Sequence, residues 1–102
     1  MTDKPLFETV AFIGIGLIGS SLARVIRRDG LANRIVACAR SDATLEKVTE
    51  LGLADHVTKD LQEAASGADL IVLCTPIGTC GAIAETIAPV LKPGQIVTDV
   101  GS

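Results

Sequence analysis

The stretch Val10–Ser21, VAFIGIGLIGSS, constrains this chain more than any other. An apolar run, Phe7–Ile13, leads into Gly14-Ile15-Gly16-Leu17-Ile18-Gly19. Beyond it Ile18, Leu22, Val25 and Ile26 recur at i, i+4, i+7 and i+8, which is one face of a helix. The order is buried strand, tight turn, helix N-terminus. Gly14 permits the turn, Gly16 lets an anion approach the backbone, and Gly19 lets the helix lie close to the strand. The first N–H groups of that helix, near Leu17 and Ile18, have no intrahelical acceptor and sit at the positive end of the helix dipole. A GxGxxG pattern alone is weak evidence. With the correct strand before it and the correct helix after it, the pattern predicts a dinucleotide pyrophosphate site at Gly14, Gly16, Leu17, Ile18 and Gly19.

The rest of the chain repeats the alternation. Leu17–Asp29 is the first helix, with Arg27 and Arg28 at its negative end and Gly30 as its C′ residue. Arg34–Ala39 reads as a second strand. Ser41 or Asp42 caps a second helix that runs to about Leu51, burying Leu45, Val48 and Leu51 before Gly52 stops it. Asp55–Thr58 is a short third strand. Asp60-Leu61-Gln62-Glu63 has the form of a capping box and opens a short helix that Gly67 ends. Asp69–Cys74 is an apolar fourth strand, broken at Thr75-Pro76. From Thr79, Cys80, Ile83, Ile87, Val90 and Leu91 recur at helical spacing, and Pro89 bends or terminates that helix. Lys92-Pro93-Gly94 is a turn, and Gln95–Asp99 is the fifth strand.

Strands alternating with helices, joined by right-handed crossovers, build an open parallel sheet wound both ways from the first strand. The expected architecture is α/β, a Rossmann-type doubly wound sheet in three layers with strand order 3-2-1-4-5. With 102 residues, the chain forms one domain at most. It contains two Phe and no Trp or Tyr, so its core is aliphatic, as in a sheet covered on both faces. A net charge of −3 offers no basic field for nucleic acid. No apolar stretch reaches the ~20 residues of a spanning helix, and Met1–Thr9 lacks the apolar segment of a signal peptide. Cys38, Cys74 and Cys80 are odd in number and lack zinc-type spacing, so neither a disulfide framework nor a metal site is expected. A cytoplasmic location follows from the same features.

The ligand of such a sheet lies at the carboxyl ends of its strands, at the switch point between strands one and four. The end of strand two decides the cofactor. An acid ~20 residues past the glycines bonds the ribose 2′-OH in NAD-preferring domains. Here Ala39 stands in that place, followed by Arg40 and Ser41. Removing the acid removes the repulsion of a 2′-phosphate. Arg40 offers a planar guanidinium and Ser41 a hydroxyl donor. Either NADP or NAD fits, with NADP favoured; stacking of Arg40 on adenine is compatible with NAD too. Cys74-Thr75-Pro76 is expected beneath the nicotinamide ribose, with Cys74 an inert thiol. His56, the one histidine, is expected away from the switch point. Asp99 is open between a structural and a cofactor-orienting role.

GIGLIGSSLA, VLCTPI and TDVGS together resemble the prephenate dehydrogenases and the wider group of arogenate and cyclohexadienyl dehydrogenases of tyrosine biosynthesis. The resemblance runs from about Val10 to Ser102. It implies an NAD(P)-dependent oxidoreductase that oxidises the ring hydroxyl of prephenate or arogenate with loss of carbon dioxide. By match to the DVGS motif it implies that Ser102 is catalytic, hydrogen-bonding the substrate hydroxyl and cofactor region. The family's catalytic histidine, in a GHP-type motif, and its helical dimerisation and substrate domain are not found in these residues. The expectation is therefore that residues 1–102 are the dinucleotide-binding domain of a longer homodimeric protein, able to bind cofactor and unable to turn over substrate. Two alternatives differ in class: a related oxidoreductase such as a pyrroline-carboxylate reductase, and a non-catalytic dinucleotide sensor.

Overall fold

Strand β1 (Phe7–Ile13) has no room for a polar side chain over its second half, because both of its faces are covered. Val10 and Phe12 point into one apolar cluster, Ala11 and Ile13 into another. The computed structural model describes residues 6–75 and 77–99, with the side chains of residues 16–18 and 77–80 excepted. Around β1 it arranges α1 (Gly16–Arg28), β2 (Ala32–Cys38), α2 (Asp42–Glu50), β3 (His56–Thr58), α3 (Leu61–Ser66), β4 (Leu70–Leu73), α4 (Ile77–Ile87), a 3-10 turn at Ala88–Val90, and β5 (Ile96–Asp99). All pairings are parallel and the order is β3-β2-β1-β4-β5, as the alternation predicts.

The three layers follow from which residues share a cluster. Ala23 and Ile26 of α1 and Val48 of α2 pack on Val10, Phe12, Ile35 and Val72. Ala64 and Ala65 of α3 and Ile87 of α4 pack on Ala11, Val36, Ile71 and Leu73. Two aspartates stitch the sheet outside the ladders. Asp69 Oδ2 accepts from the backbone N–H groups of Glu8 (2.6 Å) and Thr9 (3.2 Å). Asp55 Oδ2 accepts from Ile35 N at 2.8 Å and pairs with Arg27 at 3.3 Å.

Several local expectations shift. Val25 is 38% exposed; Ala23, fully buried, takes its place on the inner face of α1. Leu51 is 46% exposed because it is the C-cap of α2, past the last inward turn, and Leu53 is buried instead. The capping box at α3 is half formed. Asp60 accepts from Gln62 N and Glu63 N, but its own N–H donates to Thr58 Oγ1, so Glu63 turns to His56 at 3.2 Å. The α-helical part of α4 ends at Ile87, and Pro89 sits in the 3-10 turn, leaving Val90 and Leu91 to pack on the sheet from outside the helix. Strand β5 is exposed along its length, with Ile96 and Val97 open to solvent. No helix among the described residues is long and apolar enough to cross a membrane.

Candidate functional site

Three backbone hydrogen bonds continue the sheet past its carboxyl edge and tie its loops together. Gly14 N donates to Cys38 O (2.7 Å), Cys74 N to Ile13 O (2.9 Å), and Ala39 N to Thr58 O (3.2 Å). Gly14 leaves the strand at φ +71°, a left-handed conformation that suits glycine. A Cβ there would lie 2.5 Å from Thr75 Cγ2. A Cβ on Gly19 would lie 2.9 Å from Cys74 Sγ and 3.2 Å from Ile15 Cγ1. The first and third glycines are thus required by the segment that follows β4, which presses against the turn from the neighbouring strand.

The turn delivers the chain into α1 at Gly16, with Leu17 and Ile18 next in the helix. Its N-cap, Ile15, supplies no side-chain hydrogen bond. The leading N–H groups of a helix have no intrahelical acceptor, and the helix dipole favours an anion there. The residues present fit a dinucleotide pyrophosphate: the backbone turns tightly, the N-cap Ile15 carries no capping group, and the neighbouring strand closes behind it.

The turn forms one end of a cleft of about 740 Å³ along the carboxyl edge. Cys74 and Thr75 bound it after β4, and Ala82, Ile83 and Thr86 of α4 give it a largely apolar wall. Ala39, Arg40 and Ser41 bound it after β2, with Thr44 of α2 behind them. Lys59 and Leu61 close it from the β3–α3 connection. Arg40 is exposed and makes no ion pair with a described residue. Ser41 is the N-cap of α2, its Oγ accepting from Thr44 N at 3.4 Å, which leaves its hydroxyl proton to donate. Lys59 Nζ is 2.8 Å from Asp42 Oδ1.

The structure brings Gly14, Arg40, Ser41, Cys74 and Thr75 to one cleft, with Gly19 packed directly behind it. Pro76 and Ser102 lie outside the described residues. Burial pushes both the Cys38 and the Cys74 thiols up to about 11, and the nearby Asp60 and Glu63 carboxylates add to the effect at Cys38. Neither thiol is primed as a nucleophile. His56 lines a separate hollow with Thr9, Arg34 and Glu63, and its ring faces Glu63 rather than the cleft. Asp99 pairs in register with Leu73 and does not line the cleft. The sequence reading missed Lys59, Thr44 and the α4 wall. Strand order alone carried a signal for Lys59, since β3 lies beside β2 and its carboxyl end must face the same edge.

The family model for the nucleotide-binding domain of prephenate dehydrogenase matches residues 22–102, a span that begins after the glycine turn and so does not depend on it. A cyclohexadienyl dehydrogenase of Zymomonas mobilis subsp. mobilis is 38% identical over 97 residues, which is 95% of this chain and 33% of that protein. A glycerol-3-phosphate dehydrogenase (NAD(P)+) of Geobacter sulfurreducens is 29% identical over 102 residues, covering 90% of this chain and 30% of its own length. The crystal structure of prephenate dehydrogenase from A. aeolicus in complex with hydroxyphenyl propionate and NAD+ matches with a TM-score of 0.84 at 28% identity, over 93% of this chain and 34% of that one. The chain spans about a third of the length of these relatives.

Proposed function

This chain belongs to the family of prephenate dehydrogenase nucleotide-binding domains, and from that premise we propose that it is the cofactor-binding part of an enzyme that oxidatively decarboxylates prephenate, arogenate or both. The observation that carries the reading is the Gly14 turn, which places the N-terminus of α1, without a side-chain cap, at the switch point between β1 and β4. The bound nicotinamide supplies a hydride acceptor for the carbon bearing the substrate hydroxyl. The chain's own residues bind and orient. Gly14–Gly19 hold the pyrophosphate, Arg40 and Ser41 the adenosine ribose end, and the Cys74–Pro76 segment the nicotinamide ribose.

NADP binds at least as tightly as NAD in this reading, because Ala39 leaves no carboxylate at the strand end and Arg40 offers a bidentate donor. Ser102 hydrogen-bonds the substrate hydroxyl. Turnover requires more than these residues supply. A general base must come within ~2.6–3.2 Å of the proton it removes, and a serine hydroxyl needs a neighbouring base to activate it. His56, held against Glu63 away from the cleft, does not serve. The base and the second half of the substrate pocket come from a helical domain that also forms the homodimer.

The test is reduction of NADP and NAD, followed by absorbance, with prephenate and then arogenate. The 102 residues alone bind cofactor without turnover, a protein carrying the downstream family sequence turns over, and Ser102→Ala in that longer protein lowers kcat. Turnover by the 102 residues at the rate of the longer protein contradicts the division of labour.

A further inference from the structure

We propose that Lys59 is a specificity-determining residue for the 2′-phosphate of the dinucleotide, working with Arg40 from the neighbouring β3–α3 connection and neutralising Asp42. The inference rests on the NADP reading above and adds a residue from a different strand. Lys59 lines the same cleft as Arg40 and Ser41, although 19 positions separate Lys59 from Arg40 in the chain. Its backbone is anchored on both sides. Thr58 O accepts from Ala39 N, which fixes the end of β3 to the end of β2. Asp60 N donates to Thr58 Oγ1 at 3.1 Å, and the Asp60 carboxylate caps α3. The lysine therefore extends from a fixed point toward the β2–α2 loop, where Nζ meets Asp42 Oδ1 at 2.8 Å.

The charges explain why such a residue is needed. Asp42 stands in the first turn of α2, where the dipole favours an anion. It is also three positions past Ala39, close to where a 2′-phosphate meets Ser41. Uncompensated, Asp42 repels a phosphate of nearly two negative charges. Paired with Lys59, it adds no net charge beside the cleft. When the phosphate arrives, the ammonium, with three donors on a flexible stem, bridges it and Asp42 while Arg40 supplies the planar fork.

Calorimetric titration of the 102-residue chain with NADP and with NAD tests this, with Arg40→Ala as the reference. Lys59→Gln weakens NADP by roughly five- to tenfold, the scale of a charge-assisted contact at a partly exposed site, and leaves NAD within about twofold. Lys59→Arg keeps most of the preference. Adding Asp42→Asn to Lys59→Gln recovers part of the lost NADP affinity, because the exposed repulsion goes with it. Equal change in both cofactors, or no change in either, overturns the assignment. If Arg40→Ala lowers the NADP-to-NAD ratio while Lys59→Gln does not, Lys59 alone is wrong; if neither lowers it, the NADP reading itself fails.

Discussion

The two ends of the cleft are built on different physics. At the glycine-turn end, contact is steric: Gly14 and Gly19 sit where an added Cβ would fall within 3 Å of Thr75 or Cys74. At the β2–α2 end, Arg40, Ser41, Asp42 and Lys59 are exposed groups, where Lys59 pairs with Asp42 and Ser41 caps α2. The first end belongs to the core, so binding there cannot change without disturbing the fold. The second end stands on the core without being part of it, so side chains can change there at almost no cost in stability.

The largest effect that follows is at the packed end. Gly14→Ala combines a left-handed backbone with a clash against a stiff β-branched side chain, and should destabilise by about 2–4 kcal/mol while weakening NADP and NAD alike. Thermal denaturation and titration of both cofactors check it. Adding Thr75→Ser, which deletes the clashing methyl, should restore part of the stability; if it restores none, the contact is not the cause.

Arg40→Ala probes the other end. It should weaken NADP by about 1.5–3 kcal/mol, shift NAD far less, and leave the melting temperature within a degree or so. A drop in stability as large as that of Gly14→Ala would erase the distinction between the two ends. Asp69→Ala touches neither. It removes the acceptor for Glu8 N and Thr9 N, and should cost about 1 kcal/mol in denaturant unfolding with the NADP-to-NAD ratio unchanged.

The smallest effect concerns the thiols. Cys38 and Cys74 are pushed up to about 11 from 9.0, so the folded state holds its protons to higher pH than the unfolded chain. Their contribution to stability is full below about pH 9 and is lost as pH rises through 11. Alkylation by iodoacetamide at pH 8 should be slow for these two thiols in the folded protein and fast in urea. Rapid alkylation of Cys74 in the folded state would mean that the packed end opens.

Strand order, the two covered faces and the glycine turn were legible because each rests on local pattern: apolar runs of strand length, helical spacing, and a motif whose flanks can be checked. The placement of Arg40 and Ser41 at the cleft was legible because the position after β2 lies at the carboxyl edge of such sheets. Val25 and Leu51 were misplaced because helical periodicity marks the centre of a buried face and not its margins or its last turn. The capping box at Asp60 was read correctly for one partner only. Thr58 Oγ1 competes for the Asp60 N–H, and that competition involves a strand residue outside the four-residue pattern. Lys59 could have been found from strand order, whereas the α4 wall required the fold itself, since residues distant in the chain meet only after the loops are tied at Gly14, Ala39 and Cys74.

The central claim is that the carboxyl-edge cleft binds a dinucleotide and accepts a 2′-phosphate where Ala39 stands in place of an acid. Isothermal titration of the unmodified chain with NADP and with NAD, in the same buffer at the same ionic strength, tests it most directly. Both cofactors should bind, with NADP at least as tight as NAD; no binding of either, or NAD bound tenfold more tightly than NADP, would contradict the proposed function.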